Sequence, residues 1–277
     1  MTTTRPLPKL ITFDGEARSG KGTVVQTVKD HLRDALGYKV MLIDAGQVFR
    51  VLVVAAMRDG VSLEDPLAID AFLSDETKVH SSVELVKHVY HMQKDERDAL
   101  LYTNEVGANS AKVGARPLSQ EFKDSLLKKW LKDAYEEGYD IVLLDGRALE
   151  ETGNMLTGQG LCEFEVGLYF VCDANIGARR TLGFAHKSYD ELSEFEKIEV
   201  DTLIRQIDAR NHADSIRAVQ PVVAPEGAVA WALPDVLSYK RSAKTPSFYV
   251  VDTSAEMSKT NMTEPVCEFI GEYVSGK

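Results

Sequence analysis

An apolar run, LITF at residues 10–13, leads through Asp14 into GEARSGKGT at 15–23, and the VVQTVKDHL behind it repeats its apolar residues at helical spacing. This succession of strand, glycine loop and helix constrains the fold more than any other part of the chain. Glycines at 15, 20 and 22 permit backbone conformations and close approaches that a Cβ forbids, so successive N–H groups can turn inward on one anion. A helix starting there adds the positive end of its dipole and unpaired N–H groups. Lys21 supplies a full charge for outer phosphates, and Gly22 separates it from the hydroxyl of Thr23, which the plain phosphate-loop pattern places next to the lysine. A glycine-rich turn without a ligand is the bland alternative, weakened by the strand and helix on either side.

Four further apolar runs read as strands: KVMLI (39–43), YDIVLL (139–144), VGLYFVC (166–172) and SFYVV (247–251). Helical periodicity fills long stretches between them, such as 46–60 and 119–138, the latter stopped by Gly138. The alternation predicts an α/β fold with a mostly parallel sheet covered on both faces. Two segments interrupt it: a largely helical, highly charged insertion over about 45–120, and a polar segment over about 181–206 that is expected to be helical. Such lobes over a nucleotide-binding sheet either close over it or cover it as static helices. Residues 231–247, WALPDVLSYKRSAKTPS, read as an irregular surface excursion, and no linker divides the chain.

A chain of 277 residues with 44% hydrophobic content can bury a full core without staples, as one domain with sub-lobes. Cys162, Cys172 and Cys267 are far apart and odd in number, which predicts free thiols in a reducing compartment. The opening MTTTRPLPKL lacks a signal-peptide core, and no run reaches the roughly 20 apolar residues of a membrane span, so the expectation is a soluble cytoplasmic protein. A formal net charge of −11 disfavours nucleic acid as a partner and requires that any phosphate site concentrate its cations locally.

Arginines meet that requirement. Arg50 follows IDAGQVF beyond the second apolar run, Arg147 ends LLDGR, and Arg210 and Arg217 flank Asp214 in DARNHADSIRAVQP. Each alone also fits a solvated charge or surface ion pair. Together with Lys21, however, Arg50 and Arg147 follow directly on strand ends, where open α/β sheets bind their ligands. Asp145, at the end of IVLL, stands where a carboxylate can hold a magnesium ion directly or through water, or merely cap the next segment.

These blocks, with NEVGANSAKVGARP at 104–117 and the ARR of 178–180, resemble the cytidylate kinase family of nucleoside monophosphate kinases in order and over most of the chain. The resemblance implies a P-loop kinase three-layer sandwich as one domain: a core of 9–44, 121–180 and 207–277, a helical lobe for the nucleoside monophosphate at about 45–120, and a lid at about 181–206. It implies ATP and Mg2+, small-molecule partners and a monomer. Gly15, Ser19, Gly20, Lys21, Gly22 and Thr23 would hold the ATP phosphates. Arg50, Arg147 and Arg217 would clamp the acceptor's phosphate, Ser110 would contact the acceptor, Arg210 and Asp214 would hold the ribose, and Arg179 and Arg180 would reach from the lid towards the transferring group, with Lys21 and Arg147 acting on it as well.

The chain departs from the family pattern around the base. Ala148 stands where aspartate usually follows DGR, Gln120 where a second base-facing arginine is expected, Ala111 in the slot of a serine that appears one place early as Ser110, and Ala45 in place of a hydroxyl residue before Gly46. Glu150, Glu151 or Gln120 are candidate substitutes, though a surface glutamate pair is the plainer reading. Charge-assisted hydrogen bonds contribute about 1.5–3 kcal/mol each, so losing two or three readers relaxes base choice by orders of magnitude. Two rival readings stand beside phosphoryl transfer to CMP or dCMP: a nucleotide-binding regulatory protein without efficient turnover, and a P-loop kinase of a non-nucleotide small molecule, which leaves Arg210 and Asp214 without a ribose.

Overall fold

Strand β1 (Lys9–Gly15) is buried at every position but the first, as suits a run with no polar alternation inside a sheet covered on both faces. In the computed structural model, which describes residues 5–237 and 247–276, the chain continues through α1 (Lys21–Asp30), a π-helical turn at His31–Ala35, β2 (Val40–Asp44), α2 (Ala45–Arg58), α3 (Pro66–Ser74), α4 (Glu76–His91), α5 (Lys94–Leu101), α6 (Asn104–Gly114) and α7 (Pro117–Glu137). Then follow β3 (Ile141–Asp145), α8 (Leu149–Gly158), β4 (Glu163–Val171), α9 (Ala174–Thr181), a 3-10 turn at Tyr189–Glu191, α10 (Glu194–Ser215), β5 (Val229–Ala232), β6 (Ser247–Asp252) and α11 (Lys259–Ser275). The sheet order is β2-β3-β1-β4-β6-β5. β1 runs parallel to β3 and β4, and β6 parallel to β4 and β5.

The period-2 alternation of strands sorts side chains between two buried faces. Ile11, Phe13, Val166, Leu168 and Phe170 join one core with Val24 and Val28 of α1 and Phe269 and Ile270 of α11. The opposite face carries Leu10, Thr12, Phe164 and Phe248, and α8 lies close there: a Cβ at Gly153 would stand 2.5 Å from the Phe164 ring. A register shift between Leu10 and Ile11 skips Glu165 and keeps Phe164 and Val166 on opposite faces. The result is an α/β fold with a six-stranded sheet covered on both faces.

One expectation is corrected. β5 lies partly within the segment read as an irregular excursion. Its VAWA sequence buries only Trp231, whose indole packs 5.1 Å from the Phe269 ring and donates to the Asp235 carbonyl at 2.7 Å. One buried anchor among exposed neighbours leaves no alternation to read. Residues 238–246 of that segment lie outside the described residues. Residue 206, where the expected lid ends, lies within α10, an uninterrupted helix opened by a Ser193–Glu196 capping box, as the absence of a breaker between 194 and 215 allows.

Contacts group the chain into two compact units. One comprises 1–43, 131–216 and 221–277 and holds the sheet; the other comprises 44–130 and 217–220 and is helical. Residues up to Trp130 and the short stretch Arg217–Gln220 group with the helical unit. Its own core joins Val48, Val51 and Leu52 of α2 to Phe72, Val89, Leu101, Val106, Val113 and Phe122. Among the described residues no helix is long and apolar enough to cross a membrane, and all three cysteines are free.

Candidate active site

The loop after β1 is fixed by backbone contacts that only some of its residues can make. Gly15 adopts φ +132° with the Phe170 carbonyl so close that a Cβ would lie 2.2 Å from its oxygen. Glu16 N–H donates to that carbonyl at 2.9 Å, and Ala17 N–H donates to Asn211 Oδ1 of α10 at 2.8 Å. The buried Ser19 hydroxyl donates to the Glu16 carbonyl at 3.0 Å, and the Ser19 carbonyl accepts from Thr253 Oγ1 at 2.9 Å. Gly20, at φ +81°, is the N-cap of α1. Thr23 N–H bonds back to the Gly20 carbonyl at 3.0 Å, so Gly20, Lys21, Gly22 and Thr23 form the helix start. A Cβ on Gly22 meets open space.

Asp14, which the sequence reading passed over, supports both ends of this arrangement. Its carboxylate accepts from Gly15 N–H at 2.6 Å and from Leu149 N–H, at the start of α8, at 2.7 Å. Burial raises its pKa despite the nearby Lys21 charge and these bonds. Its only signal in the sequence is its place between apolar run and glycine. Lys21 turns its ammonium onto Asp145 Oδ1 at 2.6 Å, and also donates to the carbonyls of Gly146 and, at 3.3 Å, Phe13. The ends of β1 and β3 thus carry lysine and carboxylate together.

Arg147, Asp214 and Arg210 also come together. Arg147 is ion-paired with the buried Asp214, whose Oδ2 lies 3.8 Å from Arg210 Nε. Arg147 and Asp214 line a cavity of about 220 Å³ with Glu16, Tyr169, Asn211 and Val222. Burial raises the Glu16 carboxyl, with the Cys172 N–H and Arg147 opposing it. Tyr169, whose hydroxyl donates to the Val222 carbonyl at 3.3 Å, is pushed up to about 12, chiefly by burial.

The remaining acceptor candidates belong to the helical unit. Arg50 donates to the Leu101 carbonyl at 3.0 Å and lies over the Tyr102 ring, 4.5 Å from its centroid. Tyr102 in turn donates to Asp44 Oδ2 at 3.0 Å. Ser110 Oγ bonds back to the Gly107 carbonyl at 2.8 Å, and Arg217 Nε donates to the Gln220 carbonyl. Gln120 is buried, and its amide donates to the Gly114 carbonyl at the end of α6.

Arg179 and Arg180 lie in the last turn of α9. Arg179 is 3% exposed, and its guanidinium is shared among Asn175 Oδ1 at 2.7 Å, the Lys187 carbonyl and Glu256. Arg180 donates to the Ala255 carbonyl at 2.6 Å. In this structure both tie α9 to its surroundings. Their sequence gives no sign of this, because the partners lie up to about 77 positions away.

A parallel sheet that brings a loop lysine and a strand-end carboxylate together is the arrangement of a P-loop phosphotransferase. The cytidylate kinase family model matches residues 11–232, and the chain belongs to that family. A cytidylate kinase of Shewanella frigidimarina is 24% identical over 271 residues, covering 96% of each chain. One of Vibrio cholerae is 28% identical over 221 residues, covering 79% of this chain and 86% of its own. Among solved structures, an unliganded sugar kinase from Janibacter covers 98% of each chain at 12% identity, with a TM-score of 0.38.

Proposed function

We propose that this enzyme transfers the γ-phosphoryl group of ATP to a pyrimidine nucleoside monophosphate, CMP or dCMP first. The observation that carries the reading is the Arg147–Asp214–Arg210 cluster, with Arg147 and Asp214 lining one cavity together with Glu16 of the glycine loop. In this reading Lys21 and the loop from Gly15 to Thr23 hold the ATP phosphates. Arg50, Arg147 and Arg217 bind the acceptor's phosphate, Ser110 contacts the acceptor, and Arg210 and Asp214 hold its ribose. The acceptor is already an anion, so no general base is needed. The protein's work is to align two mutually repelling phosphates and neutralise the charge of the transferring group.

Mg2+ takes one or two carboxylates and leaves its other positions to phosphates and water. Asp145 and the Thr23 hydroxyl are the residues that would hold it. When bound, the ion would neutralise negative charge on the ATP phosphates.

The test is ATP-dependent ADP release with CMP, dCMP, UMP and AMP side by side. CMP or dCMP is expected to give the highest kcat/KM, with the margin over UMP narrowed by Ala148 and Gln120. A preference for AMP would overturn the acceptor assignment. Arg179 and Arg180 are bonded to Glu256 and the Ala255 carbonyl, and a second reading, in which they stay there, is a nucleotide-binding regulator; saturable binding of the same monophosphates with no ADP released would establish it.

A further inference from the structure

The helical unit buries a lysine that the catalytic reading does not use. Lys123 is 1% exposed and lies on the same face of α7 as Ser119 and Leu127, at helical spacing of four. A buried ammonium is costly unless it is paired and hydrogen-bonded. Lys123 Nζ lies 3.1 Å from Asp124 Oδ1 and donates to Gln220 Oε1 at 3.2 Å.

Gln220 is itself unusual. Its φ is +47°, in the left-handed region that residues other than glycine and asparagine rarely enter. Such a conformation persists only where surrounding contacts over-determine it, and it concentrates at ligand sites. The backbone carbonyl of Gln220 accepts from Arg217 Nε. Arg217–Gln220 is also grouped with the helical unit, while Ile216 and Pro221 on either side belong to the sheet unit.

We propose that Lys123 is a positioning residue for acceptor binding. It pins the Gln220 side chain, holds that residue in its left-handed conformation, and so aims the carbonyl that orients the Arg217 guanidinium. The short Arg217–Gln220 segment is thereby carried by α7 rather than by α10, from which it emerges. This rests on the reading of Arg217 as a ligand of the acceptor's phosphate. It adds that a cation out of reach of any ligand sets the geometry of that contact.

The test compares Lys123→Met, Gln220→Asn and Arg217→Ala, with CMP as the varied acceptor and ATP varied separately. Gln220→Asn keeps an amide that tolerates positive φ but shortens its reach, so it carries the test if the buried lysine variant fails to fold. Each pin variant is expected to raise the acceptor KM at least about tenfold, as misplacement of a binding group does, with the ATP KM unchanged. In the Arg217→Ala background the pin substitutions should add less than about twofold, because the effect runs through that arginine. Folded variants with an unchanged acceptor KM, an equal rise in both KM values, or full additivity with Arg217→Ala would overturn the pin. A normal acceptor KM in Arg217→Ala alone would overturn the site reading beneath it, and the pin with it.

Discussion

Lys21 Nζ and Asp145 Oδ1 stand 2.6 Å apart, joining the loop that leaves β1 to the end of β3. The lysine also bonds the Gly146 and Phe13 carbonyls, so its charge is held at the strand ends, where the sheet presents its loops. Lys21→Ala is expected to cut kcat by about a hundredfold or more, the usual worth of a transition-state charge contact. Coupled ADP-release assays measure this directly, and full activity in the variant would refute the role.

Asp214 is buried between Arg147 and Arg210. Asp214→Ala leaves two guanidinium groups without their shared counter-ion, and a loss of about 3 kcal/mol is expected in urea unfolding. Arg147→Met combined with Asp214→Leu should lose less stability than Asp214→Ala alone, since an apolar pair replaces the broken one, yet remain inactive. A double variant no more stable than the single would show that the ion pair is not what the aspartate contributes.

The five longest strand signals were legible because a sheet covered on both faces needs unbroken apolar runs, and the glycine loop was legible because its conformations need residues without a Cβ. Lys21, Asp145, Arg147, Arg210 and Asp214 are candidates singled out by position relative to strand ends or by family resemblance, and the structure brings Lys21 to Asp145 and Arg147 and Arg210 to Asp214. What stayed hidden were partnerships between distant residues: Asp14 with Leu149, Arg50 with Tyr102, Lys123 with Gln220. Arg179 shows the same limit from the other side. Its residue type suggests a free cation, and only the fold reveals that Asn175, Lys187 and Glu256 consume it.

Glu16 gives a pH signature. Burial raises its carboxyl above the ordinary 4.5, so between that value and the raised one the folded chain binds more protons than the unfolded chain. Its contribution to stability is therefore complete below 4.5 and is lost as pH rises through the folded value. Relative to Glu16→Gln, the parent chain should lose stability as pH rises across that window, read from urea midpoints at successive pH values. A relative gain with rising pH would contradict the burial argument.

Two glycines of one loop should respond oppositely. A Cβ at Gly15 collides with the Phe170 backbone at 2.2 Å and sits at φ +132°, so Gly15→Ala is expected to cost at least about 3 kcal/mol. Gly22 faces open space within α1, so Gly22→Ala should stabilise the helix by about 0.5–1 kcal/mol. Thermal unfolding of the two variants distinguishes them. Equal losses would mean that Gly22 is constrained by something other than its neighbours' atoms.

Ala148 joins backbone strain to substrate choice. It holds φ +56° and ψ +54° at the N-cap of α8, with no side-chain cap, a conformation that costs alanine about 1 kcal/mol and that aspartate tolerates better. The family resemblance places an aspartate facing the cytosine ring at this position. Because the Leu149 N–H is already bonded to Asp14, a carboxylate introduced at 148 keeps its accepting capacity for a ligand. Ala148→Asp is therefore expected to leave stability unchanged or improved. It should also raise the ratio of kcat/KM for CMP over UMP at least about tenfold, the worth of one charge-assisted hydrogen bond to the cytosine amino group, which uracil lacks. An unaltered ratio in a stable variant would show that the base is read elsewhere in this chain.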